Sequence, residues 1–352
     1  NTVILFLVVS IALTAILLSL VHPIVVAMST PTDAVSGTIT YLTICFIGIP
    51  FITSYNIISS IFRGLGDSKS PMCFIATACA ANIALDYLFM GVLHLGPAGA
   101  ALGTTLSQAI SVVVSLTVIL KRRSIVLKKS DFKPCRAVMG KILGIGIPIA
   151  FQDGLIQVAF IIITIIANQR GLNDAAAVGI VEKVISFLFL VPSSMLSTVS
   201  ALCAQNIGAG KHDRASQTLA CATTIAVSYG IVISILIQFT GHHIVSLFSG
   251  NADVIRLGSQ YLHSYIWDCV FAGIHFCFSG YFCAYGVSGI SFLHNILSVV
   301  CARIPLAYLA SKYYPDNLFP MGCAAPAGSL LSVLICAIAF VWMKKQPGQK
   351  AS

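Results

Sequence analysis

Residues 121–168 read KRRSIVLKKSDFKPCRAVMGKILGIGIPIAFQDGLIQVAFIIITIIAN. The first 21 of these, 121–141, carry eight lysines and arginines, and the next 27, 142–168, carry one charge, Asp153. A helix needs about 20 mostly apolar residues to cross the hydrocarbon core of a bilayer, so 142–168 is long enough to span one. Cationic segments flanking a span mark its cytoplasmic side. Outward from this stretch in both directions the chain alternates between apolar runs and short polar connections, and that alternation sets the fold class: an all-α membrane protein.

Composition agrees. Of 352 residues, 57% are hydrophobic and 9% are charged, with a mean hydropathy of +0.95. Soluble domains carry about 25% charged residues. So few charges cannot solvate a globular surface, whereas apolar surface can face lipid. The net charge of +9 gathers in connections between apolar runs, which fits membrane topology and excludes nucleic acid as a partner. The twelve cysteines form no CxxC pair and are read as small packing residues.

Ten candidate spans follow: 2–28, 36–62, 70–93, 98–120, 142–168, 175–205, 216–239, 254–284, 288–310 and 320–343. The sixth and eighth are long, which suggests tilt or projection beyond the membrane. With ten spans, fifteen lysines and arginines fall on the side of the two termini and three (Arg170, Arg256 and Lys312) on the other. The richer side is assigned to the cytoplasm of a cell-membrane protein. The chain opens at Asn1 inside an apolar run, with no charged leader, and reads as lacking its natural start.

The chain also matches itself. Residues 22–68 align without gaps on 242–288, sharing 12 identities in 47 positions, among them His22/His242, Tyr41/Tyr261, Phe62/Phe282 and Gly66/Gly286. The shift preserves direction across the membrane, giving a parallel repeat, a common transporter plan. It implies two pseudo-symmetric six-helix bundles, with ten helices present of twelve. The expected organisation is an N-lobe over 1–121 (the last four of six helices), a basic linker over 122–141, a C-lobe over 142–345 and a tail over 346–352.

Four strings carry a family likeness: RGLGDSKSP at 63–71, AQNIGAG at 204–210, RIPL at 303–306 and GPAGAA at 96–101. Physically the first is a tight turn, with Asp67 and Pro71 suited to a helix N-terminus. Together, in order and spacing over nearly the whole chain, they resemble the multidrug and toxic compound extrusion (MATE) family. The resemblance implies no enzyme and no cofactor. It implies an antiporter in which H⁺ or Na⁺ enters as an amphiphilic, often cationic, organic compound leaves by alternating access. The expected partners are membrane lipid and a small organic substrate, and the expected state is a monomer. Two rival readings are a lipid or lipid-linked saccharide flippase of the wider superfamily and a degenerate membrane protein that transports nothing.

Four acids fall inside spans: Asp86, Asp153, Glu182 and Asp268. Each costs about 2.5–3.5 kcal/mol at a helix centre unless neutralised or paired. Asn82 stands four residues before Asp86, on the same helical face. The pair resembles the family's N-lobe cation or proton site, where matching also places Tyr41 and Thr104. Asn56 is a further polar residue in the adjoining helix. Na⁺ at Asp86 is the one metal expected. Asp153 and Gln157, four apart after Pro148, are candidates for the substrate cavity, as are Asp268 and Arg303. Glu182 and Lys183 are adjacent and so do not face each other; separate packing partners are expected for them. His275 and His294 lack ligand spacing. No P-loop, HExxH, GxSxG or zinc motif occurs.

Overall fold

The computed structural model describes residues 1–27, 32–122 and 133–345. The middle of the expected linker, 123–132, and the tail, 346–352, lie outside the described residues. Among the described residues all regular structure is helical. In chain order the helices are α1 (Thr2–Ser19), α2 (Val21–Ala27), α3 (Thr32–Ile47), α4 (Ile49–Gly64), α5 (Lys69–Asp86), α6 (Gly96–Arg122), α7 (Arg136–Arg170), α8 (Leu172–Leu188) and α9 (Leu190–Gly208). They continue as α10 (His212–Ser246), α11 (Ala252–Tyr265), α12 (Asp268–Ala284), α13 (Ser288–Ser298), α14 (Ile304–Tyr313), α15 (Phe319–Gly322) and α16 (Ala324–Lys345). Residues 136–141, expected as linker, form the start of α7.

Eight helical segments are long and apolar enough to cross a membrane, and two bent pairs, α8–α9 and α11–α12, bring the number to ten. These are the ten runs read from the sequence. The long sixth and eighth runs, for which the sequence suggests tilt or projection beyond the membrane, are each bent, by 40° and 41°. Pro192 lies in the first turn of α9, where a missing N–H costs nothing. The third and ninth spans each contain a π-helical segment, Tyr87–Val92 directly after α5 and Val299–Arg303 between α13 and α14.

The chain divides into two compact units, Asn1–Ile142 and Leu143–Ser352. In the first, α6 packs against α3, α4 and α5. Its core holds Ile58, Phe62 and Phe74, with the two phenyl rings edge to face at 5.6 Å. Ser111 donates to the Phe74 carbonyl across helices at 3.0 Å. In the second unit, α12 packs on α9, α10 and α16. One core surrounds Tyr261, Leu262, Tyr265 and Ile266 and another Val199, Cys203, Cys277 and Phe282. Ser234 donates to the Ile266 carbonyl at 3.1 Å where α11 breaks from α12, an acceptor that the Cys269 N–H also uses at 2.9 Å. In lipid such helix-to-helix bonds contribute about 0.6 kcal/mol on average.

The repeat is visible at atomic detail. Gly66 and Gly286 both have positive φ, +88° and +75°. In the first unit Asp67 N–H donates to Phe62 O and Gly66 N–H to Arg63 O; in the second, Val287 N–H donates to Phe282 O and Gly286 N–H to Cys283 O. Both are the same helix-ending motif, whose left-handed residue is most easily glycine. Asp67 then accepts from the amides of Lys69 and Ser70 at 3.1 and 3.0 Å, capping α5.

Candidate functional site

Two polar sites lie inside helices, one in each unit. In the first unit a hollow of about 200 Å³ is lined by Tyr55 of α4, Cys79 and Asn82 of α5, and Thr104, Ser107 and Gln108 of α6. Asn82 and Thr104 therefore line the same hollow. Asp86, one turn beyond Asn82, lies against Gly103 of α6, so closely that a Cβ at Gly103 would collide with Asp86 Oδ1. That oxygen is buried and has no hydrogen-bond partner among the described residues, and neither does Asn82 Nδ2. Tyr41 of α3 lies beside Cys45 and within electrostatic reach of Asp86. Asn56 is turned away: it is exposed and donates to the Ile52 carbonyl of its own helix at 3.0 Å. Its neighbour Tyr55 takes the place in the hollow. Tyr55, Ser107 and Gln108 are the members that sequence reasoning missed. The spacing from Thr104 to Gln108, one turn of α6, is the signal that could have found the last two.

In the second unit a cavity of about 280 Å³ lies between α7, α8, α9, α12, α13 and α16. Its walls include Phe160, Phe189 and Phe276, and its polar groups include Asp268, His275, Asn295, Arg303 and Ser329. The helix breaks build it. Asp268 is the first residue of α12, at the bend, where the positive end of the helix dipole favours a negative charge. Phe189 is the residue between α8 and α9, and Arg303 ends the π segment of the ninth span. Broken helices of this kind are tolerated within a membrane where they line a polar cavity.

Arg303 Nη2 donates to Asp268 Oδ2 at 2.8 Å and to the Tyr265 hydroxyl at 3.2 Å. The guanidinium sits 5.8 Å from the ring centres of both Phe160 and Tyr265, within cation–π range. Asp268 is 1% exposed, so removing either partner would leave an uncompensated charge at a cost of about 3–5 kcal/mol. The sequence candidates Asp268 and Arg303 are thus partners. Asp153 and Gln157 do not join them: both are exposed on α7, while Gln152, buried, accepts from Ser291 of α13 at 2.9 Å. Ile156 and Phe160 are the α7 side chains that line the cavity.

Glu182, for which the sequence suggests separate packing partners, is within electrostatic reach of Arg303, Tyr261 and Tyr265. Among the described residues its Oε1 is buried without a hydrogen-bond partner, as are Arg303 Nε and His275 Nδ1. His275 and His294, unremarkable in spacing, come within 5.6 Å ring to ring. His294 is held on both sides by Ser279 and Ser332, at 2.9 and 3.1 Å. Among the described residues no three His, Cys, Asp or Glu side chains are placed to share a metal ion.

A family model described as MatE matches residues 1–88 and 148–309, well over half of the chain. The chain belongs to the MATE family. It is a multi-pass membrane protein of a multidrug-efflux transporter family. It is 30% identical over 295 residues to the probable multidrug resistance protein YpnP of Bacillus subtilis (strain 168), an alignment covering 84% of this chain and 66% of that one. It is 28% identical over 330 residues to the probable multidrug resistance protein YoeA of the same organism, covering 91% and 71%. The chain thus spans about two thirds of these relatives' length. The fold matches a mutant of the Vibrio cholerae MATE transporter VcmN with a TM-score of 0.92 at 14% identity, over 99% of this chain and 79% of that one.

Proposed function

We propose that this MATE protein is an antiporter of the cell membrane that exports amphiphilic, often cationic, organic compounds in exchange for H⁺ or Na⁺. The observation that carries the reading is Asp86: an acid inside a span, with a buried oxygen that no group among the described residues satisfies, one turn from the likewise unsatisfied amide of Asn82. An acid is retained at such a depth where it has a partner or a task. Here the task is to take a coupling cation, as a proton on the carboxylate or as Na⁺ among the oxygens of Asp86, Asn82 and Tyr41. Uptake removes one unit of charge from an apolar setting and so shifts the balance between conformations. Asp86 immediately precedes the π segment Tyr87–Val92, where a helix departs from α-helical hydrogen bonding; such segments often occur at functional sites. The names of the Bacillus relatives support multidrug compounds as the substrate class.

The protein would act as a monomer, with its basic linker and C-terminus in the cytoplasm. Ethidium efflux from cells expressing it, with the proton and sodium gradients collapsed in turn, tests the reading. Efflux should stop with one gradient, and Asp86→Asn should fall to the background of cells lacking the gene. Full efflux in Asp86→Asn, or indifference to both gradients, would overturn the mechanism.

A further inference from the structure

We infer that the cavity of the second unit is a binding site for a small neutral aromatic compound, which it selects against charged compounds of the same shape. Size and walls come first. The cavity holds about 280 Å³; an apolar cavity of about 150 Å³ accommodates benzene, so this one has room for two fused rings. Phe160 of α7, Phe189 between α8 and α9, and Phe276 of α12 wall it. Aromatic walls favour a ring that can stack on them or meet them edge to face. An apolar pocket with a few placed polar groups is the common form of a small-molecule site. Ser186 and Ser193, on either side of the α8–α9 break, are the exposed members of the lining, so the cavity opens beside hydroxyls and not beside charge.

Charge decides the class of ligand. Among the described residues that line the cavity, the charged side chains are Asp268 and Arg303, and they are bonded to each other at 2.8 Å. An organic cation is drawn into a site by a free carboxylate or by the faces of aromatic rings. Here the carboxylate is already paired. The Arg303 guanidinium also lies by the rings of Phe160 and Tyr265, 5.8 Å from each centre. Both attractions are taken by the protein's own cation, which repels a second one. An organic anion is no better placed, because the guanidinium it would seek is held by Asp268. A ligand with a single charge can take one partner only by leaving the other buried and uncompensated. A neutral ring leaves the pair intact. Glu182 is within electrostatic reach of Arg303 but is not part of the lining, so a ligand in the cavity does not touch it.

Most hydrogen-bonding groups of the lining are engaged within the protein. Ser298 donates to the Gly328 carbonyl at 2.6 Å, Asn295 donates to the Ser291 carbonyl at 3.0 Å, and Ser329 bonds to Asp268. His275 differs: it is buried, and its Nδ1 has no partner among the described residues. An imidazole nitrogen either donates or accepts, according to its tautomer. A ring with one edge that can both give and take a hydrogen bond suits it in either form. A fused-ring lactam such as 2-quinolone has the size, the neutrality and the edge.

As a binding site the cavity stands apart from transport; that its occupant is cargo rests on the export reading. Radiolabelled 2-quinolone, dialysed to equilibrium against the purified protein in detergent with detergent alone as the blank, tests the site. Binding should saturate. N-methylquinolinium and quinoline-2-carboxylate, the same ring with a positive or a negative charge, should compete more weakly by about tenfold or more. Ala272→Phe fills the cavity from α12 with both ionic partners in place and should abolish binding. Phe276→Ala, the variant to use where the larger side chain does not fold, removes a wall and should weaken binding about tenfold. In Asp268→Asn the guanidinium is released, and quinoline-2-carboxylate should become the tightest of the three compounds; in Arg303→Gln the carboxylate is released, and N-methylquinolinium should. The site is overturned if 2-quinolone does not bind saturably, if a folded Ala272→Phe or Phe276→Ala binds it as the wild type does, or if N-methylquinolinium matches it in the wild type. An unaltered order of preference in Asp268→Asn or Arg303→Gln would overturn the role of the ion pair. If 2-quinolone binds while ethidium efflux fails, the export reading falls and this site stands; if efflux follows an ion gradient while 2-quinolone does not bind, the reverse holds.

Discussion

At the scale of the residue, the closest constraint on the first unit is the contact between Asp86 and Gly103. A methyl group at position 103 has no room, because the place is taken by the Asp86 carboxylate. Gly103→Ala should therefore displace the acid, destabilising the protein by about 1–3 kcal/mol, as overpacking does, and reducing ion-driven export along with it. In an Asp86→Ala background the same methyl group no longer meets the carboxylate and keeps only ordinary contact with the residue-86 backbone, so the double variant should melt at a higher temperature than additivity allows. Thermal unfolding of the four proteins in detergent checks this, and equal effects of Gly103→Ala in both backgrounds would disprove the contact. The Asn82/Asp86 pair was legible in the sequence because four-residue spacing is a statement about one helix. The Arg303–Asp268 pair was not, because it joins two spans. A signal did exist: Arg303 is a cation within a span and needs anions, and Glu182 and Asp268 are two of only four in-span acids. Matching charges across spans would have joined Arg303 to Asp268.

At the scale of the element, the number and type of helices followed from length and apolarity alone, since about 20 apolar residues in a bilayer leave the backbone few alternatives to a helix. The bends at Phe189 and at Ile266–Trp267, and the two π segments, were not legible. They depend on which neighbour satisfies a freed carbonyl, as Tyr229 does for Leu188, whose fourth residue onward is Pro192 and has no N–H to give, and periodicity does not encode that. The turns sit between these cases: RGLGDSKSP announced a cap, and the internal repeat announced its counterpart at Gly286. Gly210 ends α9 in the same way, with φ +70° and Lys211 N–H donating to Asn206 O. At each of the three glycines a side chain would be forced into the left-handed region at a cost of about 1–2 kcal/mol. Gly66→Ala, Gly210→Ala and Gly286→Ala should each lower the melting temperature. Gly208→Ala, within helical backbone and facing open space, should raise it slightly, by up to about 1 kcal/mol of stability. A melting series that fails to separate Gly208 from the other three would contradict the turn geometry.

At the scale of the whole molecule, orientation in the membrane is set by charge outside the spans. Fifteen lysines and arginines fall on one side and three on the other when the ten spans are laid out in order. Adding or removing one span would reverse the side of every connection beyond it, and the bias would collapse, so the asymmetry and the count support each other. The ten helical segments of the structure leave those connections where the count requires them. Lys211, between α9 and α10, should face the cytoplasm, and Asp316, between α14 and α15, should face outward; both are exposed. The six exposed cysteines, Cys73, Cys79, Cys135, Cys221, Cys301 and Cys323, can be replaced by alanine to give a quiet background. In that background a membrane-impermeant maleimide should label Asp316→Cys in intact cells and Lys211→Cys only after permeabilisation. Labelling of Lys211→Cys in intact cells would place the basic connections outside. The bias would then need a cause other than the retention of cations on the cytoplasmic face, and the direction of export would have to be reassigned with it.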